Sequence, residues 1–127
     1  MIRVAENRAD LERCVAINNA VNPDSPVTAD ELDVSSGAFI VHGDDGYAYV
    51  DRSSVPGAAF AMVRVRQESR RRGVGATLLA AARRRARELE YQSMWGRVRE
   101  GDAAMRAVNE RLGYEPLPAW IVVRGPA

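Results

Sequence analysis

The chain contains no lysine, and all 18 of its basic residues are arginine. A nucleotide-binding P-loop closes on Gly-Lys followed by Ser or Thr, so that phosphate site is excluded. A single cysteine, Cys14, rules out an internal disulfide and a cysteine-based metal centre. Histidine is as scarce: His42 stands alone at the end of a β-type run, where a structural or exposed role is expected. No apolar run approaches the ~20 residues of a membrane-spanning helix. Met-Ile-Arg-Val opens as a strand and shows no apolar leader region. Repeats, linkers and low-complexity segments are lacking too. These absences point to one cytoplasmic domain over residues 1–127, with no metal and no membrane partner.

What is present is ordinary in bulk and uneven in distribution. Hydrophobic content of 46% and charged content of 28% are those of a globular protein. The net charge of +1 conceals two halves: residues 1–63 carry 4 Arg against 10 acids, residues 64–127 carry 14 Arg against 7. An anionic ligand, either a phosphorylated cofactor or nucleic acid, is therefore expected on the second half. The all-arginine, alanine-rich usage suggests a GC-rich bacterial genome, which concerns codons and not function.

In order, residues 1–5 form a strand, and Asn7 caps a helix from Arg8 to about Ala20. Its stripe is Leu11, Cys14, Val15 and Ile17, which makes Cys14 a core residue and not a nucleophile. Residues 21–26 hold two prolines and form a loop. Thr28-Ala-Asp-Glu31 has the form of a capping box and predicts a short second helix to about Val34. Strands follow at Ala38–Val41, Tyr47–Val50 and Ala58–Arg66, the first two joined by the turn signal Gly43-Asp-Asp-Gly46. In the third of these, Ala59, Ala61, Val63 and Val65 point one way and Phe60, Met62, Arg64 and Arg66 the other. A third helix runs from Gly73 to about Leu89 on a core stripe of Val74, Leu78, Ala81, Ala82 and Leu89. Arg83, Arg84, Arg85 and Arg87 form a solvated basic face near its C-terminus. Ser93–Arg99 is a strand with Met94 and Val98 on one face and Trp95, Arg97 and Arg99 on the other. Asp102 caps a fourth helix ending at Gly113. Tyr114–Arg124 closes the chain as a strand broken early by Pro116 and Pro118.

The stretch Val63 to Gly75 organises the rest. A β-run ends near Val65, a polar turn carries Arg70, Arg71 and Arg72, and a helix opens on Gly73 and Gly75. Helix starts expose unpaired amides and a partial positive charge, and glycines let an anion approach them closely. The pattern describes a site for an anion, most simply a pyrophosphate. A dinucleotide fingerprint needs a third glycine where Leu78 stands. An ordinary strand–turn–helix with solvated arginines stays open on this motif alone.

The motif Arg70-x-x-Gly73-x-Gly75 directly after a strand resembles the acetyl-CoA pyrophosphate loop of the GNAT superfamily of N-acetyltransferases. About 35 residues further on, Asn109-Glu-Arg-Leu-Gly-Tyr114 is similar to that superfamily's Leu-Gly-Phe/Tyr helix end, and Ile2-Arg-Val-Ala-Glu6 to its opening strand. The resemblance spans the whole chain. It implies an α/β (α+β) fold: a mixed, mostly antiparallel sheet splayed between the fourth and fifth strands, with helices on both faces. The element order would be strand, two helices, three strands, helix, strand, helix and one or two closing strands. It further implies acetyl-CoA as co-substrate, an amine of a small molecule or peptide N-terminus as acceptor, and direct attack in a ternary complex. Val63, Arg64 and Val65 match the strand segment that holds the pantetheine arm, and Arg70 to Ala76, including Arg71, Arg72 and Val74, match the diphosphate turn. A backbone amide near Val65 would stabilise the oxyanion. Asp102 stands where the superfamily often has a CoA-contacting Asn, and Asn109 where many members carry Tyr; both count with the cofactor-binding residues.

The acid and base are less well marked, because Asn cannot donate a proton as a phenol does. Tyr49, Glu100 and Asn109 are the candidates; Tyr47 and Asp51 sit with Tyr49 on a strand near the cleft, Asp102 follows the fifth strand with Glu100, and Ser53 and Ser54 occupy the turn before the cofactor strand. Arg64, Arg97 and Arg99, if they face the cleft, imply an acceptor bearing a carboxylate or phosphate. A homodimer is compatible with this reading. Two alternatives remain at this point: a catalytically reduced relative that binds CoA or acetyl-CoA as a sensor or regulatory partner, and a nucleic-acid binder using the arginine helix. The last lacks interleaved aromatics and any binding motif, so no nucleic-acid partner is expected.

Overall fold

A computed structural model of the chain describes residues 2–32, 37–97, 110–111, 113, 115–116 and 122–126. Strand β1 spans Ile2–Val4 and helix α1 spans Arg8–Val21. Extended Asn7 caps α1 through its side chain, which accepts from the Asp10 amide at 2.9 Å. The buried face of α1 is Asp10, Cys14, Ile17 and Asn18, while Leu11 and Val15 are half-buried at its margin. Beyond α1, Asn19 clasps the backbone of Val27 in both directions, at 2.9 and 3.1 Å. Asn18 donates to the Ser25 carbonyl at 3.3 Å, so two asparagines pin the proline-containing loop to the helix.

The expected second helix is corrected to one 3-10 turn, Ala29–Glu31. The Glu31 carboxylate does bond the Thr28 amide and hydroxyl, both at 3.1 Å. A capping signal starts a turn but cannot extend it, and Leu32 is already in the β region (ψ 118°). Residues 33–36 lie outside the described residues.

Three antiparallel strands follow: β2 (Gly37–His42), β3 (Gly46–Asp51) and β4 (Ala58–Val65). Their alternation makes two cores. On one face Ile40, Ala48, Val50 and Ala59 pack on helix α2 (Val74–Glu88) through Val74, Leu78, Ala82 and Ala86. Ala86 is absent from the predicted stripe; the four-residue step from Ala82 brings it to the same face. On the other face Phe39, Val41 and Tyr47 pack on Cys14 and Ile17 of α1. The helix opening at Gly73 is thus the second α-helix of the described chain.

Strand β5 (Ser93–Arg97) lies parallel to β4, and β6 (Glu115–Pro116) and β7 (Val122–Pro126) complete a mixed sheet in the order β1-β2-β3-β4-β5-β7-β6. The expected closing strand is two short strands paired with each other, Glu115 opposite Arg124. Pro116 falls on the outer strand, where a missing donor is tolerated. Of the predicted fourth helix, Glu110 and Arg111 are helical; Asp102 and Asn109 lie outside the described residues.

Candidate active site

The sheet opens where β4 and β5 part. Parallel pairing covers Ala58 with Ser93, Ala59 with Met94 and Phe60 with Trp95. Beyond that last pair β4 continues as strand through Ala61–Val65, still paired to β3, while β5 turns its other edge to β7. At the apex Gly96 meets β4 so closely that a Cβ would lie 2.7 Å from the Ala61 carbonyl oxygen. Glycine is what lets the strands touch there before they diverge.

The free segment of β4 leads into the loop at the mouth of α2. A 3-10 turn (Gln67–Ser69) is followed by Arg70, Arg71 and Arg72, all exposed, and by Gly73 at φ 80°. Arg71 also has a positive φ, 65°, which a long side chain rarely adopts. Thr77 is the first residue of the helix to return a backbone bond, to the Gly73 carbonyl at 3.0 Å. The amides of Val74, Gly75 and Ala76 ahead of it are those a helix start leaves without an intrahelical acceptor. A Cβ on Gly73 would meet nothing within 4 Å. Open space beside Gly73, helix-start amides and three exposed guanidinium groups suit an anion such as a diphosphate.

This loop is braced by the β2–β3 turn. The Asp45 carboxylate accepts from the buried Ser69 hydroxyl at 2.7 Å and lies 3.5 Å from the Arg72 guanidinium. The Asp45 carbonyl accepts from the Arg66 amide at 2.8 Å, and Arg66 Nε donates to the Asp44 carbonyl at 2.7 Å. The Ser69 hydrogen bond, aided by Arg72 and His42, holds the Asp45 carboxyl below its ordinary range. His42 Nδ1 is 3.8 Å from that carboxylate, which gives the lone histidine a structural setting.

The face of the sheet turned to α1 carries a cavity of about 390 Å3. Phe39, Tyr47, Tyr49, Phe60 and Met62 form its sheet side, and Asn18, Asn22, Val27 and Leu32 its helix-and-loop side. Rings run across the strands from Phe39 to Tyr49 (4.6 Å), Tyr49 to Phe60 (6.1 Å) and Phe60 to Trp95 (5.0 Å). The cavity therefore reaches the residue pair at which the sheet opens. Tyr49 donates its hydroxyl to the Asp51 carboxylate at 2.7 Å.

Of the predicted site residues, the fold brings Val63–Val65, Arg70–Arg72 and Gly73–Ala76 to one end of the splay, and Tyr49 with Asp51 to the cavity. Tyr47 is buried, bonds Asn18 Oδ1 at 3.3 Å, and burial pushes its hydroxyl up to about 12. Ser53 is a brace, donating to the Ala58 carbonyl at 2.6 Å and accepting from Trp95 Nε1 at 2.8 Å. Cys14 is buried and its thiol is pushed up to about 12, first by desolvation and then by Asp10, as suits a core residue. Glu100, Asp102, Asn109 and Arg99 lie outside the described residues. Asp45, Ser69 and Gly96 escaped the sequence reading; the turn signal at 43–46 marked a hairpin and gave no hint of what it touches. Among the described residues no His, Cys, Asp and Glu group is placed to hold a metal, and no helix is long and apolar enough to cross a membrane.

A sheet split beside a glycine-led helix start is the frame on which the family match falls. The family model described as the acetyltransferase (GNAT) family matches residues 9–114, and the chain belongs to that family. It is an acyltransferase of the acetyl-CoA-dependent N-acetyltransferase superfamily. Solved structures share the fold at low identity. The ribosomal-protein-alanine N-acetyltransferase from Brucella melitensis superposes with TM-score 0.77 and 22% identity, covering 100% of this chain and 99% of that one. The ribosomal-protein-S18-alanine N-acetyltransferase from Escherichia coli gives 0.75 and 19%, covering 99% and 92%. A phosphinothricin acetyltransferase from Sinorhizobium meliloti, in complex with acetyl-CoA, gives 0.75 and 18%, covering 99% and 87%. No curated protein matches the chain in sequence.

Proposed function

We propose that the protein transfers the acetyl group of acetyl-CoA to the primary amine of a small molecule or a peptide N-terminus, by direct attack in a ternary complex. The observation that carries this reading is the run of β4 past its last pair with β5, aimed at the mouth of α2. Main-chain groups of Val63, Arg64 and Val65 hold the pantetheine arm along the open edge. The amides of Val74, Gly75 and Ala76, with Arg70, Arg71 and Arg72, hold the diphosphate. When bound, acetyl-CoA supplies an activated thioester. The amine nitrogen bonds to the acetyl carbon, the carbon–sulfur bond breaks, the amine gives up a proton and the departing thiolate takes one. A β4 amide near Val65 serves the developing oxyanion.

Tyr49 is suited to receive the amine's proton. Its hydroxyl donates to the Asp51 carboxylate at 2.7 Å, so as the phenol oxygen takes the amine's proton its own hydrogen passes to that carboxylate. The test is calorimetry with CoA together with thiol release from acetyl-CoA across an amine panel. Saturable binding and amine-dependent release are expected. Absence of CoA binding would sink the assignment.

A further inference from the structure

We infer that Gly37 is a positioning residue of the acetyl transfer: its missing side chain is the space in which the Tyr49 phenol lies along the sheet to reach Asp51. The inference rests on the preceding reading of Tyr49 as the group that takes the amine's proton, and it concerns how that group is held. Tyr49 and Asp51 are two residues apart on β3 and share one face of the sheet. Their Cα atoms are therefore about 6.6 Å apart. A ring standing straight off the sheet, the usual direction for a strand side chain, would hold its hydroxyl away from that carboxylate. In the structure the hydroxyl donates to Asp51 Oδ2 at 2.7 Å, so the ring leans along the strand. The other carboxylate oxygen accepts from the Arg52 amide at 2.7 Å, which fixes the target of the phenol.

The residue paired opposite Asp51 is Gly37. A Cβ there would lie 2.6 Å from Tyr49 Cε1, 2.6 Å from its hydroxyl oxygen and 2.7 Å from Cζ. Carbon atoms pack best at about 3.5–4.0 Å, so a methyl at 37 and the phenol cannot share this place. The chain path does not ask for glycine here. Gly37 is a strand residue outside the left-handed region that Gly43, Gly57 and Gly73 occupy. What requires glycine at 37 is the ring. On the strands to either side, Phe39 lies 4.6 Å and Phe60 6.1 Å from the Tyr49 ring, centroid to centroid. A displaced phenol presses on one of them or lifts off the sheet, and either movement takes it from Asp51.

Alanine suits the strand backbone and intrudes on the phenol, so Gly37→Ala is the test. In protein carrying a 13C label at the tyrosine ζ carbon, Tyr49→Phe identifies the Tyr49 resonance. Asp51→Asn should shift that resonance in the wild-type background and leave it in place in the Gly37→Ala background. A resonance that answers to Asp51 in both backgrounds, or in neither, overturns the proposal. If Gly37→Ala does not fold, Gly37→Ala combined with Tyr49→Ala should, because the vacated ring space takes the methyl; failure of that double variant as well overturns it. In thiol release from acetyl-CoA with phenethylamine and an alanine-first hexapeptide as acceptors, Gly37→Ala should lower kcat by about tenfold or more at an unchanged acetyl-CoA KM. Added to Tyr49→Phe it should cost nothing further, and a loss that multiplies instead overturns the proposal. Tyr49→Phe with unaltered kcat, or no turnover of either acceptor, counts against the transfer reading alone, and the resonance still decides the positioning.

Discussion

Gly73 joins backbone conformation to ligand chemistry in one residue. Its φ of 80° is left-handed and its Cβ direction is empty, so alanine there meets strain and no collision. That strain is roughly 1–2 kcal/mol, and Gly73→Ala should lower the melting temperature by a few degrees with CoA binding largely kept. Gly73→Glu adds a carboxylate where the diphosphate is proposed to sit. Its CoA affinity should fall by about tenfold or more, roughly 1.4 kcal/mol, as calorimetry would read. At Tyr49 the expectation is different in kind. Tyr49→Phe keeps the ring between Phe39 and Phe60 and removes the hydroxyl, so kcat should drop by about a hundredfold while the acetyl-CoA KM stays put. An unchanged kcat would remove Tyr49 from proton transfer. At this scale the sequence was informative where the signal is local. A glycine ahead of a helix and arginines before it can be read in one window. Tyr49 stood out less, because Phe39, Phe60 and Asp51 reach it through strand pairing.

Among the elements, the β2–β3 turn governs the loop before α2. Asp45→Ala deletes the acceptor of the Ser69 hydroxyl and frees Arg72 together. Loosening of the loop should raise the acetyl-CoA KM severalfold with the acceptor KM unmoved. Asp45→Asn keeps an oxygen for Ser69, so its KM should return most of the way to wild type. If Asn and Ala behave alike, the charge and not the hydrogen bond is what matters. Element order and type were legible because periodicity changes cleanly between strand and helix along this chain. The second helix failed for a physical reason: Thr28 and Glu31 complete a cap, but Pro26 precedes it and Leu32 has left helical space, so nothing propagates the turn. The brace by Asp45 was illegible since it joins residues 24 apart that share no pattern.

For the whole molecule, the Arg3–Asp10 pair ties the first strand to the first helix. Asp10 is buried yet ionised: Arg3 donates to it through both guanidinium ends, and the Glu6 amide adds a bond at 3.0 Å. These donors, Arg3 foremost, hold its carboxyl below the ordinary range. Its folded value is therefore lower than its unfolded value of ~3.9. The associated stabilisation is fully present above that pH and is lost as pH falls through the depressed folded value. Melting temperatures from pH 7 down to 3 should fall for the wild type and fall less steeply for Asp10→Asn, which starts lower. The splay itself was foreseen only through family resemblance. Nothing in the composition of β4 or β5 says where they part, and the glycine that fixes the apex reads in sequence as one more small residue.

Cys14 has a practical corollary. It is the chain's one thiol, sealed beneath the first helix and held protonated far above neutral pH. A disulfide reagent added during turnover will accordingly colour with released coenzyme and not with native enzyme. In the absence of substrate, slow modification of that same sulfur becomes a clock for how often the helix lifts away from the sheet.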